Sequence, residues 1–181
     1  MQYYEALGLE PKLALDAEDL QKRFYERSRK WHPDRFSRAP EVERQRALDI
    51  TALLNDAFRT LRHPVPRAEY FLSERGIQLS KDVPPELLEE VFELNMALEE
   101  IRGGDESARP QLDSARERFA GMQAEIDSGL VDLFDRHDAH GDRATLDEIL
   151  ASLNRRRYIS NLLRDVVALT NDKELNVHLS N

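Results

Sequence analysis

The tripeptide His32-Pro33-Asp34 sets an imidazole and a carboxylate on either side of the residue that most restricts the backbone. Such a trio can present hydrogen-bonding groups to a partner from a fixed turn. Alone it can equally be a helix stop. Positive charge is concentrated around it. Residues 22–38 contain seven bases (Lys22, Arg23, Arg27, Arg29, Lys30, Arg35 and Arg38) and two acids, Glu26 and Asp34. That segment is +5 in a chain of formal charge −9. A basic stripe on an acidic protein fits an acidic partner surface, and the bland alternative is a solvated helix face.

Other residue types give less. His137, Asp138, His140 and Asp142 have ligand chemistry, but with Gly141 they read as a polar connector between two helices. No Ser/His/Asp order, phosphate-cradling Gly loop or metalloprotease spacing appears. There are 0 cysteines, so disulfides and thiolate sites are excluded. No catalytic residue, metal site or cofactor is therefore expected. The acidic net charge argues against nucleic acid as the main partner. No apolar run approaches the ~18–20 residues of a membrane span. The opening Met1-Gln2-Tyr3-Tyr4-Glu5 has neither the basic flank nor the apolar stretch of a secretory signal. A cytoplasmic, soluble protein with no membrane partner is the expectation.

The elements that must position the tripeptide are helical, and no strand signal is present: the chain reads as all-α. Tyr3, Tyr4 and Leu7 belong to a short helix stopping at Gly8. Asp16 can cap a second helix to about Lys30, with Leu20, Phe24 and Trp31 near one face and Ser28 between them. Pro33 ends it. A third helix, from Pro40 to Arg62, carries the stripe Ala47, Ile50, Leu54, Ala57 and Leu61 with Phe58 beside it. Two such stripes on a short loop pack as an antiparallel hairpin. Pro64 and Pro66 then interrupt the chain, and a piece from Arg67 to Arg75 ends at Gly76. Residues 1–76 form a first domain and 77–84 a linker. A three-helix bundle over 85–170 follows, and residues 171–181 read as a frayed tail.

Within the bundle, Pro85 opens the first helix, which closes before Gly103-Gly104. The second helix spans about Ser107 to Phe134, with Leu112, Ala115, Phe119, Met122 and Ile126 as its stripe. Thr145 and Glu148 have capping-box spacing at the start of the third, which continues through Leu153, Ile159, Leu162 and Val166. The first helix has a complete seam: Pro84, Leu87, Val91, Leu94, Leu98 and Ile101. Leu88, Phe92 and Met96 make a second apolar row. One seam suffices for a bundle. The second row is either a wide core stripe or an exposed binding surface.

Three stretches in order resemble the J-domain family: Tyr4 with Leu7-Gly8-Leu9, Leu20-Gln21-Lys22-Arg23-Phe24, and Arg29-Lys30-Trp31-His32-Pro33-Asp34-Arg35. Leu54-Asn55-Asp56-Ala57-Phe58-Arg59-Thr60-Leu61-Arg62-His63-Pro64 and Arg67-Ala68-Glu69-Tyr70-Phe71-Leu72 resemble its HscB branch. That branch joins a J-domain to a C-terminal three-helix domain and serves iron–sulfur cluster assembly. The resemblance covers about residues 2–77 by specific motifs and 85–165 mainly by architecture. It implies a co-chaperone that stimulates the ATPase of a DnaK/HscA-type chaperone and has no catalysis of its own. His32, Pro33 and Asp34, with Lys22, Arg23, Arg27, Arg29, Lys30 and Arg35, would contact that chaperone. It also implies an IscU-type iron–sulfur scaffold protein as client, held by Leu88, Phe92, Met96 and Tyr158. Arg27 departs from the family, which has an apolar residue there, and the tail from Thr170 has no counterpart. The seams also permit self-association through the C-terminal domain. Two rivals are a general J-protein delivering other clients and a structural oligomerisation protein with a degenerate J-like segment. The first lacks the Gly/Phe-rich linker and zinc repeats such proteins often carry, and the intact tripeptide speaks against the second.

Overall fold

The structure is a computed structural model that describes residues 1–178, with side chains through Val166. The helices are α1 (Gln2–Leu7), α2 (Ala17–Trp31), α3 (Glu41–Leu61), α4 (Pro64–Ser73), α5 (Leu88–Arg102), α6 (Arg109–His140) and α7 (Arg143–His178). Short 3₁₀ turns lie at Pro33–Phe36, Pro85–Leu87 and Glu106–Ala108. No strand occurs among the described residues. Two compact units form. One comprises residues 1–78 with 130–149, and the other residues 79–129 with α7 from Leu150 onward.

In the first unit, α1, α2 and α4 pack on α3. The core is Tyr4, Leu7, Leu13, Leu20, Leu54, Leu61, Phe71 and Leu72, all essentially inaccessible to solvent. Phe24 of α2 stacks on Phe58 of α3, with ring centroids 4.3 Å apart. Such a pair adds ~0.5–1.5 kcal/mol beyond its buried area. Asp16 caps α2 as its residue type suggests, accepting the Asp19 N–H at 2.7 Å. α1 ends at Gly8 with φ 66°, a left-handed residue that lets Leu9 N–H reach Tyr4 O at 2.9 Å. Tyr4 donates its hydroxyl to Lys12 O at 2.8 Å, tying the following loop to α1.

Three sequence expectations are corrected here. Pro64 and Pro66 do not interrupt the chain but open α4. A helix's first N–H groups have no intrahelical acceptor, so prolines lose nothing there. His137, Asp138 and His140 are not connector residues but lie in the last turns of α6, which runs past Phe134 to His140. His137 is buried edge-on to Phe71, at 5.6 Å between ring centroids. Asp138 accepts the backbone N–H groups of Leu13 at 3.0 Å and Ala14 at 2.7 Å. The cap of α7 is Asp142 rather than Thr145: its two carboxylate oxygens take the Thr145 N–H at 2.7 Å and hydroxyl at 2.9 Å. Those bonds hold the Asp142 carboxyl below the usual aspartate range.

In the second unit, Leu87, Val91, Leu94, Leu98 and Ile101 are buried with Leu112, Phe119 and Ile126 of α6 and Leu153, Ile159 and Val166 of α7. Polar ties are few and specific. Arg156 clamps Asp127 through two hydrogen bonds, and Gln123 donates to Ser160 Oγ at 3.1 Å. Helical backbone continues through His178, past Thr170 where the apolar pattern lapses. Residues 168–178 contain neither Gly nor Pro to stop it. The last three residues of the expected tail, 179–181, lie outside the described residues.

Candidate functional site

α2 stops because Pro33 can neither donate an N–H nor let His32 stay helical. His32 takes φ −58°, ψ 129°, and the chain re-enters a 3₁₀ turn with Pro33 in its first position. Asp34 N–H donates to His32 Nδ1 at 3.3 Å. With Nδ1 engaged within the turn, Nε2 is the ring nitrogen left for a partner. The Asp34 carboxylate stands 3.5 Å from Nδ1, and the two side chains are 58% and 89% exposed. The tripeptide thus offers a ring nitrogen and a carboxylate to a partner, on a backbone that its own proline holds.

Residues outside the tripeptide hold the turn from behind. Trp31 and Phe36, which flank it, stack with centroids 5.6 Å apart and planes within 7°. The Arg46 guanidinium of α3 lies 5.8 Å from the Trp31 ring centre. Thr51 of α3 donates its hydroxyl toward Trp31 O at 3.0 Å. Sequence reasoning placed Trp31 near the hairpin face but missed Phe36, Arg46 and Thr51. Their only local signal was an aromatic close after the turn.

The expected basic residues divide into two sets. Lys22, Arg27, Arg29, Lys30 and Arg35 are exposed, whereas Arg23 is half-buried. Arg23 donates to Asp19 Oδ2 at 2.7 Å and to Gly8 O at 2.7 Å, so it ties α2 to the end of α1. Arg27 lies against Gly8: a Cβ there would come within 3.0 Å of its Cζ. The family's apolar position is thus occupied by an arginine whose guanidinium lies over the α1 turn. Lys22, Arg29, Lys30 and Arg35 remain as the outward cations leading to the tripeptide.

In the second unit, Leu88, Phe92 and Met96 are 56%, 68% and 47% exposed, while the neighbouring seam is buried. Phe92 and Met96 form one wall of an open groove of about 690 Å³, with Pro110, Gln111, Ser114 and Arg118 of α6 opposite. Tyr158 on α7 is half-buried and is not among the residues lining that groove. Among the described residues no cluster of His, Asp or Glu could hold a metal ion, and no helix is long and apolar enough to cross a membrane.

Comparison with known proteins agrees with this geometry. The DnaJ domain family matches residues 2–70, and the HSCB C-terminal oligomerisation domain matches residues 83–167. The co-chaperone protein HscB homolog of Vibrio campbellii is 35% identical over 141 residues, 72% of this chain and 82% of that protein. Its counterpart in Shewanella baltica OS155 is 33% identical over 155 residues, 82% of this chain and 87% of that protein. The chaperone HscB from Vibrio cholerae superimposes with TM-score 0.65 at 28% identity, covering 95% of this chain and 99% of that one. The human co-chaperone protein HscB does so with TM-score 0.67 at 25% identity, covering 94% and 82%. A helical hairpin with an exposed His-Pro-Asp turn, followed by this second domain, defines a J-domain co-chaperone, a regulator of an Hsp70-type chaperone. The chain belongs to the HscB family, the J-domain branch that serves iron–sulfur cluster assembly.

Proposed function

We propose that this chain accelerates ATP hydrolysis by a DnaK/HscA-type chaperone, hydrolyses no ATP itself, and delivers an IscU-type scaffold protein to that chaperone, in the cytoplasm. The observation that carries the first part is the outward His32-Pro33-Asp34 turn, backed by the Trp31–Phe36 stack and approached by a row of exposed cations. Docking follows from that arrangement. Lys22, Arg29, Lys30 and Arg35 steer the outer face of α2 to an acidic surface, with Arg27 at its margin and Arg23 securing the helix. His32 Nε2 and the Asp34 carboxylate then meet the groups that couple nucleotide hydrolysis to client capture. The backbone is already in its bound shape, which lowers the ordering cost of docking.

The second part rests on the exposed row Leu88, Phe92 and Met96, with Tyr158 as a further contact. Among the described residues the three α5 side chains stand exposed, and uncovered apolar rows are interaction surfaces. Met and Phe adapt to a partner's contour. Self-association through the same domain would compete for that row. Single-turnover ATP hydrolysis by the chaperone, with and without this protein and the scaffold, tests the whole reading. Acceleration that His32→Gln abolishes is expected, and equal rates with wild type and His32→Gln would overturn it.

A further inference from the structure

The Trp31 carbonyl is the last of α2 and belongs to the peptide group that carries His32. The final carbonyls of a helix have no intrahelical partner. This one lies 3.0 Å from the hydroxyl of Thr51, twenty residues on in sequence and on the facing helix. The same hydroxyl lies 2.8 Å from Ala47 O, one turn earlier in α3. A threonine inside a helix commonly bonds back to that i−4 carbonyl. Here the side chain also reaches across the hairpin, to the carbonyl bordering the tripeptide. One hydroxyl carries one proton, so the two acceptors share it. The other ways for this peptide to move are already limited. The Trp31 ring is held by Phe36 and Arg46, and Pro33 fixes the far side of His32.

We infer that Thr51 is a positioning residue for the His32-Pro33-Asp34 turn: its hydroxyl sets the plane of the Trp31–His32 peptide and hence the direction of the imidazole. This inference rests on the turn being the chaperone contact. Thr51 itself is half-buried on the inner side of the hairpin. It acts by reducing the orientations His32 samples before docking, a saving in binding rather than in the hydrolytic step.

The test uses the full chain and four forms of it: wild type, Thr51→Val, Thr51→Ser and Thr51→Ala, titrated into a single-turnover chaperone ATPase assay. Valine keeps the shape and removes the donor. Its half-stimulating concentration is expected to rise about fivefold, the effect of one net hydrogen bond, with maximal stimulation unchanged. Serine restores the wild-type value, and alanine behaves like valine. The ¹⁵N shift of the His32 amide moves in Thr51→Val and returns in Thr51→Ser, a readout independent of the chaperone. Because no cation is changed, the salt dependence of all four forms stays parallel. Wild-type titration by Thr51→Val overturns the inference, as does equal behaviour of Thr51→Ser and Thr51→Ala. The serine–alanine pair decides the matter even if valine melts below the assay temperature. If wild type and His32→Gln stimulate alike, the underlying reading fails. If only His32→Gln is silent and every Thr51 variant titrates normally, this inference alone fails.

Discussion

Asp138 and Ala14 are joined by a 2.7 Å hydrogen bond across 124 positions of sequence. The other oxygen of the same carboxylate takes the Leu13 N–H. The loop between α1 and α2 is therefore held by the tip of α6, and Leu13 beneath it is fully buried. Removing the carboxylate leaves two amides without their charged acceptor, and each such bond is worth ~1.5–3 kcal/mol. Asp138→Ala should lower unfolding free energy by about 3–6 kcal/mol on that basis. Urea denaturation of the full chain measures it. A loss within the ordinary surface range, about 0.5 kcal/mol, would show the contact to be idle.

His32→Gln should leave helicity and melting unchanged, because the imidazole is exposed and holds no core contact. Chaperone stimulation should fall to background. Circular dichroism and the single-turnover assay on one preparation give both answers.

Arg29 and Arg23 should behave differently, although sequence alone grouped them. Arg29→Ala removes an exposed cation and should slow association several-fold at low salt, with little change in melting. Arg23→Ala breaks bonds to Asp19 and to Gly8 O and should lower stability by about 1 kcal/mol as well. Stopped-flow association from low to high salt, with thermal melts alongside, separates the two.

Phe92 is 68% exposed, so Phe92→Ala should cost little folding stability. If it anchors the scaffold, the same change should weaken scaffold binding by about 1–3 kcal/mol. Tyr158→Ala is the sharper trial, because Tyr158 is half-buried and lies outside the Phe92–Met96 groove. Calorimetric titration with the scaffold reads both variants. Unchanged affinity for Phe92→Ala would remove α5 from the interface.

Acid should unfold the chain partly through Asp142. Its carboxyl is held below the ordinary aspartate value, mainly by the Thr145 N–H and then by the Thr145 hydroxyl. A depressed carboxylate stabilises the fold at pH above its unfolded value, about 3.9. That contribution is lost as pH falls through the lower folded value. Asp142→Asn should therefore flatten the acid limb of a stability–pH curve below about pH 4 and leave the neutral region's slope alone.

Much of this was legible in the residue order, and the part that was not shares one cause. Helical spacing separated the buried seam Leu87, Val91, Leu94, Leu98 and Ile101 from the exposed row Leu88, Phe92 and Met96, because side-chain direction along a helix is set locally. The position of the tripeptide between two amphipathic helices was legible for the same reason. Asp138 was not, since its partners are Leu13 and Ala14 and no local pattern names them. Thr51 and Arg46 also escaped notice: on α3 they look like ordinary polar positions until α2 folds beside them. Pro64 and Pro66 were misjudged because a proline that ends one helix and a proline that opens the next have the same local neighbourhood. Arg23 was counted as surface charge because its long-range acceptor, Gly8 O, is a backbone carbonyl, which every residue has.

The make-up of the first unit has a consequence for how this chain can fold as it is synthesised. That unit draws on residues 1–78 and again on 130–149. The α1–α2 loop emerges early but meets its anchor only when Asp138 has left the ribosome. At about 5–20 residues per second, synthesis of residues 79–129, which separate these two stretches, lasts about 3–10 s. During that interval the amides of Leu13 and Ala14 have only water, and the surfaces of Phe71 and Leu13 that later face α6 stand open. A nascent chain of this protein thus exposes apolar surface for seconds while the tripeptide proposed to contact the chaperone has already been made.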